Sequence, residues 1–136
     1  MKTTLLTCSS IVLMAFVTHA FAAPIPSFAR QALRPLPVKI MSFDGATLRV
    51  IANRDRINQD TYQSIAITGI CWSAHNNEKQ AKRIKRIEVL NNVDKSGLAL
   101  EGGGNTCLQM SNMNSEATRQ YIDQHTIQCT EGVCKR

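Results

Sequence analysis

Two runs of alternating apolar and polar residues lie close together in the first half of the chain. Residues 38–43 (VKIMSF) and 46–52 (ATLRVIA) are separated by Asp44-Gly45. A period of two is typical of strands with one buried face, and an Asp-Gly pair supplies the positive φ angles of a two-residue hairpin turn. The sequence therefore predicts a β-hairpin over residues 38–52.

A third strand is predicted at residues 61–72 (TYQSIAITGICW), which are rich in β-branched and aromatic side chains. Gly69 inside this run indicates a bulge or a close packing contact. The alternative is a helix that begins at Asp60. In that helix four apolar residues would share one face: Tyr62, Ile65, Ala66 and Ile70.

The rest of the chain predicts four more elements and a connector. Residues 75–83 are polar and then basic, and form a short helix, whereas residues 87–91 and 98–101 form a second hairpin. The three glycines of residues 102–104 indicate a flexible connector rather than a phosphate loop, because no Gly-Lys-Ser/Thr follows. Ser115 begins a C-terminal helix that runs to about residue 124.

Five strands with a short helix after the third form the element order of an oligonucleotide/oligosaccharide-binding barrel. We therefore predict an α+β, mostly β fold: a small five-stranded antiparallel barrel or sheet with a C-terminal helix, stapled by disulfides. Residues 38–136 would form this single domain, a size expected for a 136-residue chain. All four prolines lie in residues 23–37, which predicts a flexible arm outside the core.

The N-terminus has the features of an export leader. Lys2 precedes the apolar run of residues 11–17, which is shorter than the roughly 20 residues that cross a bilayer. Ala20-Phe21-Ala22 fits the small-x-small cleavage rule. We expect a cleavable signal peptide over residues 1–22, a cut after Ala22, and a secreted or periplasmic product. An uncleaved anchor is the alternative, and no later segment resembles a transmembrane helix.

The cysteines beyond the leader predict two disulfides, since an even number in an exported protein is typical of crosslinks. Of the three possible pairings we favour Cys71–Cys107 and Cys129–Cys134. A metal site is the competing hypothesis. Cys71-x3-His75 and His125-x3-Cys129 have helical ligand spacing, and zinc or copper accepts two Cys and two His. Oxidising conditions favour the disulfides, so we expect no metal and no cofactor.

A basic stripe is the clearest functional signal in a chain of net charge +6. Its members are Lys79, Lys82, Arg83, Lys85 and Arg86. In a helix, positions 79, 82, 83 and 86 would share one side, with Glu78 able to pair with Lys82. Such a stripe attracts phosphates, sulfated or sialylated glycans, or anionic lipid headgroups. The alternative is a solvated face without a partner.

Aromatic residues are few, which argues against nucleic acid as the partner, because single-strand binders stack bases on several rings. Trp72 adjoins Cys71, and we expect its ring to pack against the disulfide; a role as a ligand platform is the alternative. No nucleophile or metalloprotease motif is present, so we predict no enzyme. A catalytic site would have to be assembled from four scattered residues: Asp44, Asp60, His75 and His125.

The predicted element order, the length, and Cys129-x4-Cys134 followed by Lys135-Arg136 are together similar to the receptor-binding B subunits of AB5 toxins. The resemblance covers residues 38–134 in outline, and the closest stretch is IMSF with the following GATLRV. It implies a small exported barrel that assembles into a ring and binds host glycans. No individual sugar-binding residue follows from it.

These observations predict an exported, non-catalytic binding protein. It would recognise an anionic or glycan ligand, or a protein partner, through a β face, Trp72 and the basic stripe. The first alternative is a periplasmic inhibitor, immunity or accessory protein that blocks an enzyme with loops 53–60 and 102–106. An AB5-type B subunit and a small secreted hydrolase or metal-handling protein are further alternatives. Oligomeric state is left open.

Overall fold

The computed structural model describes residues 22–136. Residues 1–21, and with them nearly all of the expected leader, lie outside the described residues. The described chain has six strands and four helical elements: α1 (Ser27–Leu33), β1 (Val38–Phe43), β2 (Thr47–Ala52), α2 (59–81), β3 (Arg86–Leu90), β4 (Gly97–Glu101), α3 (Gly103–Met110), α4 (Ser115–His125), β5 (Thr126–Thr130) and β6 (Val133–Lys135).

The strands form one sheet in the order β1-β2-β3-β4-β5-β6. Neighbouring strands are antiparallel except β2 and β3, which are parallel and are joined by the crossover helix α2. The α+β class is therefore confirmed. The sheet has six strands instead of five and is open, and its first helix between strands follows the second strand, not the third.

The first predicted hairpin is present, with its turn one residue further along than the Asp-Gly pair suggests. Asp44 N–H donates to the carbonyl of Thr47, so Gly45 and Ala46 are the central residues, and only Gly45 has a positive φ, +98°. The Asp44 carboxylate accepts the N–H groups of Ala46 (2.8 Å) and Thr47 (2.6 Å). Asp44 thus stabilises the turn through its side chain.

The predicted third strand is wrong, because residues 61–72 lie inside helix α2. Asn58 caps this helix, its side-chain oxygen accepting the N–H of Thr61 at 2.8 Å. One face of the helix then buries Tyr62, Ile65 and Ala66 against the core. The helical alternative is therefore correct, and burial of this face outweighs the weak strand propensity of the β-branched residues.

The predicted Pro-rich arm also differs from the structure, since residues 27–33 form helix α1. Phe28 and Leu33 are buried in the main core, and Leu33 approaches Gly69 of α2 so closely that a Cβ there would lie 3.0 Å from its Cδ2 atom. Pro26 immediately precedes the helix, which suits its fixed φ. Residues 23–37 are therefore part of the folded core, not an appendage to it.

The helices cover one face of the sheet and form the main hydrophobic core with it. On the opposite face a smaller cluster forms among six residues: Ile51, Leu90, Ala99, Ile127, Cys129 and Cys134. Arg49 closes this face, donating to Glu88 (3.0 Å), Asp94 (2.7 Å) and the carbonyl of Gly132 (3.1 Å). The β5–β6 hairpin is thereby held over the helix-free face.

Both disulfides have the predicted pairing, Cys71–Cys107 and Cys129–Cys134. The first joins α2 to α3, and the second links β5 to β6. On a loop-entropy basis they stabilise the fold by about 4 and about 2 kcal/mol respectively. Within residues 22–136 no helix is both long and apolar enough to span a bilayer.

The triple glycine is a packing site, not the flexible connector that the sequence suggests. A Cβ on Gly104 would lie 1.8 Å from the carbonyl oxygen of Ala81, and one on Gly103 would lie 2.5 Å from that of Ile84. Gly104 N–H donates to the Ile84 carbonyl at 2.9 Å. The start of α3 therefore packs directly against the end of α2, backbone against backbone.

Candidate functional site: a tryptophan platform on helix α2

Helix α2 contains a π-helical segment, Gln63–Cys71, whose geometry decides where the following residue faces. Its buried residues are spaced by five, Ile65 with Ile70 and Ala66 with Cys71, as i→i+5 hydrogen bonding requires. Trp72 lies seven residues after Ile65, which is close to two turns of a regular α-helix. In such a helix the two side chains would therefore share the buried face. The wider π turns rotate Trp72 outward, and π segments of this kind are frequent at functional sites.

Trp72 is the most exposed aromatic residue of the described chain. Its relative exposure is 79%, whereas Phe28, Phe43 and Tyr62 are buried and Tyr121 is half-buried. The expected packing of Trp72 on the disulfide is therefore wrong. The ring stands beside the bridge but faces solvent, which corresponds to the platform alternative.

Trp72 separates two hollows of different chemistry. The first, of about 260 Å³, is mainly apolar and is lined, besides Trp72, by Ile67, Cys71, His75, Cys107, Met110, Ser111 and Thr118. The second, of about 320 Å³, lies between α1 and α2 and is lined, besides Trp72, by Phe28, Gln31, Ala32, Ser73, Asn76 and Asn77. We call this second one the amide hollow, because three of its polar side chains are carboxamides.

The polar side chains of the amide hollow differ in whether they already make hydrogen bonds within the protein. Ser73 Oγ donates to the carbonyl of Gly69 (3.0 Å), and Asn77 Nδ2 donates to that of Ser73 (2.9 Å). Gln31 and Asn76 are exposed and make no side-chain hydrogen bond within residues 22–136. Their carboxamides can therefore donate to and accept from a ligand beside the indole.

The predicted basic stripe does not form one helical face, because α2 ends at Ala81 and Arg86 lies on β3. Arg86 is paired across the sheet with Glu101 (3.5 Å), and Lys82 pairs with Glu78 as the spacing predicted. Arg83 lies over the ring of Phe43, 5.7 Å from its centroid, and Lys85 Nζ donates to the Lys82 carbonyl at 2.8 Å. Lys79 extends into solvent, two turns after Trp72.

Three of the four residues proposed for a metal site are engaged in other contacts. Cys71 and Cys129 belong to different disulfides, so neither offers a thiolate. His125 Nδ1 lies 2.8 Å from the carbonyl of Tyr121, its neighbour one turn earlier. Among residues 22–136, no group of three or more His, Cys, Asp and Glu side chains could hold a metal ion.

The four residues considered for catalysis are dispersed. Asp44, Asp60 and His75 line three different hollows. The backbone N–H groups of Thr47 and Ala46 lower the pKa of Asp44, which is consistent with its structural role in the turn. Nothing in the sequence distinguished Gln31 or Asn76, because their importance depends on the packing of α1 against α2.

The geometry around Trp72 suits recognition: an exposed ring, an apolar hollow on one side and unengaged carboxamides on the other. No protein-family model, curated protein or solved structure matches this chain.

Proposed function

We propose that this chain is an exported, non-catalytic binding protein that recognises a saccharide at the Trp72 platform. The observation that carries the proposal is the 79% exposure of Trp72 in a molecule whose other described aromatic rings are buried or half-buried. Large exposed aromatic rings lose hydration at little conformational cost when a ligand covers them. They are therefore frequent anchors of recognition surfaces.

The chemistry next to the ring favours a saccharide. The apolar C–H face of a pyranose stacks on an indole, and its hydroxyl groups need donors and acceptors close by. Gln31 and Asn76 provide both on the same side of Trp72. The disulfide Cys71–Cys107 ties α2 to α3 immediately before Trp72, so less ordering of the backbone is needed on binding.

Export is part of the proposal and rests on the leader-like residues 1–22 and on the two disulfides. Disulfides persist in oxidising compartments and are rare in reducing ones. A saccharide ligand is consistent with such a location, where glycans are the commonest polymers on cell surfaces.

The binding test uses the only tryptophan of the chain as its reporter. The purified protein is titrated with lactose, chitotriose, sialyllactose and trigalacturonate while Trp72 emission is followed. We expect at least one of these sugars to change the emission saturably. In calorimetry Trp72→Ala should weaken that sugar's binding at least tenfold, and Trp72→Phe should weaken it less because it keeps a ring.

The matched control is Val133→Ala, which removes another exposed apolar side chain from strand β6. It should leave the affinity unchanged, and neither variant should lower the stability by more than about 0.5 kcal/mol, because both side chains are exposed. The proposal is wrong if no sugar of the panel changes Trp72 emission, or if Trp72→Ala binds the sugar as tightly as the parent protein.

A protein partner is the second candidate, favoured by the apolar hollow that Met110 and Ile67 line on the other side of Trp72. An apolar side chain of a partner would fill it beside the indole, as at the centre of protein interfaces. Of the two loops expected to make such contacts, residues 53–60 are mostly exposed. Residues 102–106 pack against the backbone of α2 at Gly104, so they are not free to contact a partner and do not fit that role.

A further inference from the structure

The helices that line the amide hollow carry cations without matching carboxylates. Arg30 and the C-cap residue Arg34 belong to α1, and Lys79 lies in the last turn of α2. Within residues 22–136, no carboxylate approaches any of these three groups to 4 Å. Glu78, the acidic residue next to Lys79, is paired with Lys82.

Elsewhere on the molecule many of the cations are paired. Arg49, Arg86 and Arg136 bind carboxylates across the helix-free face of the sheet and at its C-terminal edge. Lys95 pairs with Glu131, and Arg119 pairs with Glu116. Unpaired positive charge on both of the helices that line one hollow raises the local concentration of anions near it, an effect that paired charges produce far less.

Three of the unpaired cations lie close in sequence to the groups that line the amide hollow. Lys79 is three residues after Asn76, and Arg30 and Arg34 lie one residue before and three residues after Gln31. All three side chains are exposed, so each can extend towards a ligand bound in the hollow.

We infer that the saccharide bound at this site is acidic, with a carboxylate or sulfate group directed to Lys79 and held in the field of Arg30 and Arg34. This inference rests on the proposed function and adds the charge of the ligand to it. The unpaired cations on α1 and α2 carry it, together with the amide lining, which contains no acidic side chain to repel the ligand. A membrane-binding face would instead need several strongly exposed apolar side chains next to Trp72, whereas the others in the described chain lie on the sheet or in its loops: Ile40, Val93 and Val133.

The experiment compares sugars that differ mainly in charge. Trp72 emission is titrated with trigalacturonate and its methyl ester, and with sialyllactose and lactose, at low and at high sodium chloride concentration. We expect an acidic sugar to bind at least tenfold more tightly than its neutral partner. The advantage should shrink in high salt, because the ions screen exposed charges.

Variants that replace a cation by a neutral residue show which side chains cause the preference for the acidic sugar. Lys79→Gln and the double variant Arg30→Gln/Arg34→Gln should each weaken the acidic sugar three- to tenfold while leaving the neutral sugar unaffected. Lys135→Gln on the exposed strand β6 is the matched control and should change neither. Circular dichroism of each variant verifies that the fold is intact.

The possible outcomes separate the inference from the proposed function. If acidic and neutral sugars bind equally through Trp72, the proposed function stands and the acidic ligand is wrong. If no sugar binds, both are wrong. Vesicles containing phosphatidylglycerol serve as a competing surface. Binding to them that needs Trp72, with no response to soluble acidic sugars, would overturn the inference in favour of a membrane surface.

Discussion

Tyr62 is the largest fully buried side chain of the described chain, and it carries an ionisable hydroxyl. It lies 3.0 Å from Thr126 Oγ1, which donates its own proton to the Ile122 carbonyl at 2.7 Å, so Tyr62 is the donor in this pair. Burial raises the pKa of Tyr62 to about 12, because the protein interior disfavours tyrosinate.

This pKa change predicts a loss of stability at alkaline pH. The folded-state pKa lies above that of the unfolded chain, about 10, so the stabilisation is complete below pH 10 and is lost as the pH rises through 12. In Tyr121→Phe, Tyr62 is the only tyrosine left, and its ultraviolet absorbance should titrate with a midpoint of about 12. A midpoint near 10 in the folded variant would contradict this.

Gly104 is the residue at which a single added methyl group should be most damaging. In Gly104→Ala the new Cβ would lie 1.8 Å from the Ala81 carbonyl oxygen, a rigid backbone atom, so α3 would have to move away from α2. We expect a loss of more than about 2 kcal/mol in urea unfolding. The exposed neighbour Asn105→Ala is the control and should change stability by less than about 0.5 kcal/mol.

At the scale of elements, local sequence was sufficient where a turn decides the structure. Asp44-Gly45 located the first hairpin, and Ser115 and Glu116 located α4, although Asn114 provides the cap. It was insufficient at residues 61–72, where a strand and a helix bury similar apolar residues. The choice there depends on α1, which occupies the position beside Gly69 and which four surrounding prolines made difficult to predict.

The exposure of Trp72 is another feature that local sequence was insufficient to predict. It depends on the π turns of α2, for which the sequence carries no known signature, and a regular helix would have placed the ring in the core. The cysteine pairing, in contrast, was predictable, because oxidising conditions and sequence distance leave few choices. The candidate site was therefore anticipated in one residue, Trp72, and missed in Gln31 and Asn76.

The two disulfides should differ in how much they contribute to the free energy of unfolding. Cys71–Cys107 closes a separation of 36 residues and joins two helices, whereas Cys129–Cys134 closes a separation of 5 within one hairpin. We expect Cys71→Ala/Cys107→Ala to cost about 4 kcal/mol and Cys129→Ala/Cys134→Ala about 2 kcal/mol. Denaturant unfolding of both double variants measures the order, and a reversed order would show that the hairpin crosslink is the more important one.

For the whole molecule, compartment and fold are linked through the same four cysteines. A fold of this size without its crosslinks would lose about 6 kcal/mol on the loop-entropy estimate, comparable to the entire stability of many small domains. Disulfides persist in oxidising compartments, so the two bridges fit an extracellular or periplasmic protein. The leader-like residues at its start are what would deliver it there.

This link predicts the product of export. When the full-length chain is expressed in a Gram-negative bacterium, we expect the periplasmic fraction to contain a polypeptide that starts at Ala23, because Ala20-Phe21-Ala22 fits the small-x-small rule for cleavage after Ala22. N-terminal sequencing and mass measurement identify that start.

After denaturation without reductant, thiol titration should detect no free thiol, since all four remaining cysteines are paired. The same chain expressed from residue 23 in the reducing cytosol is the control and should expose four. Full-length protein retained in the cytosol with reduced cysteines would contradict export, and the saccharide proposal would then lose the compartment in which such a ligand is encountered.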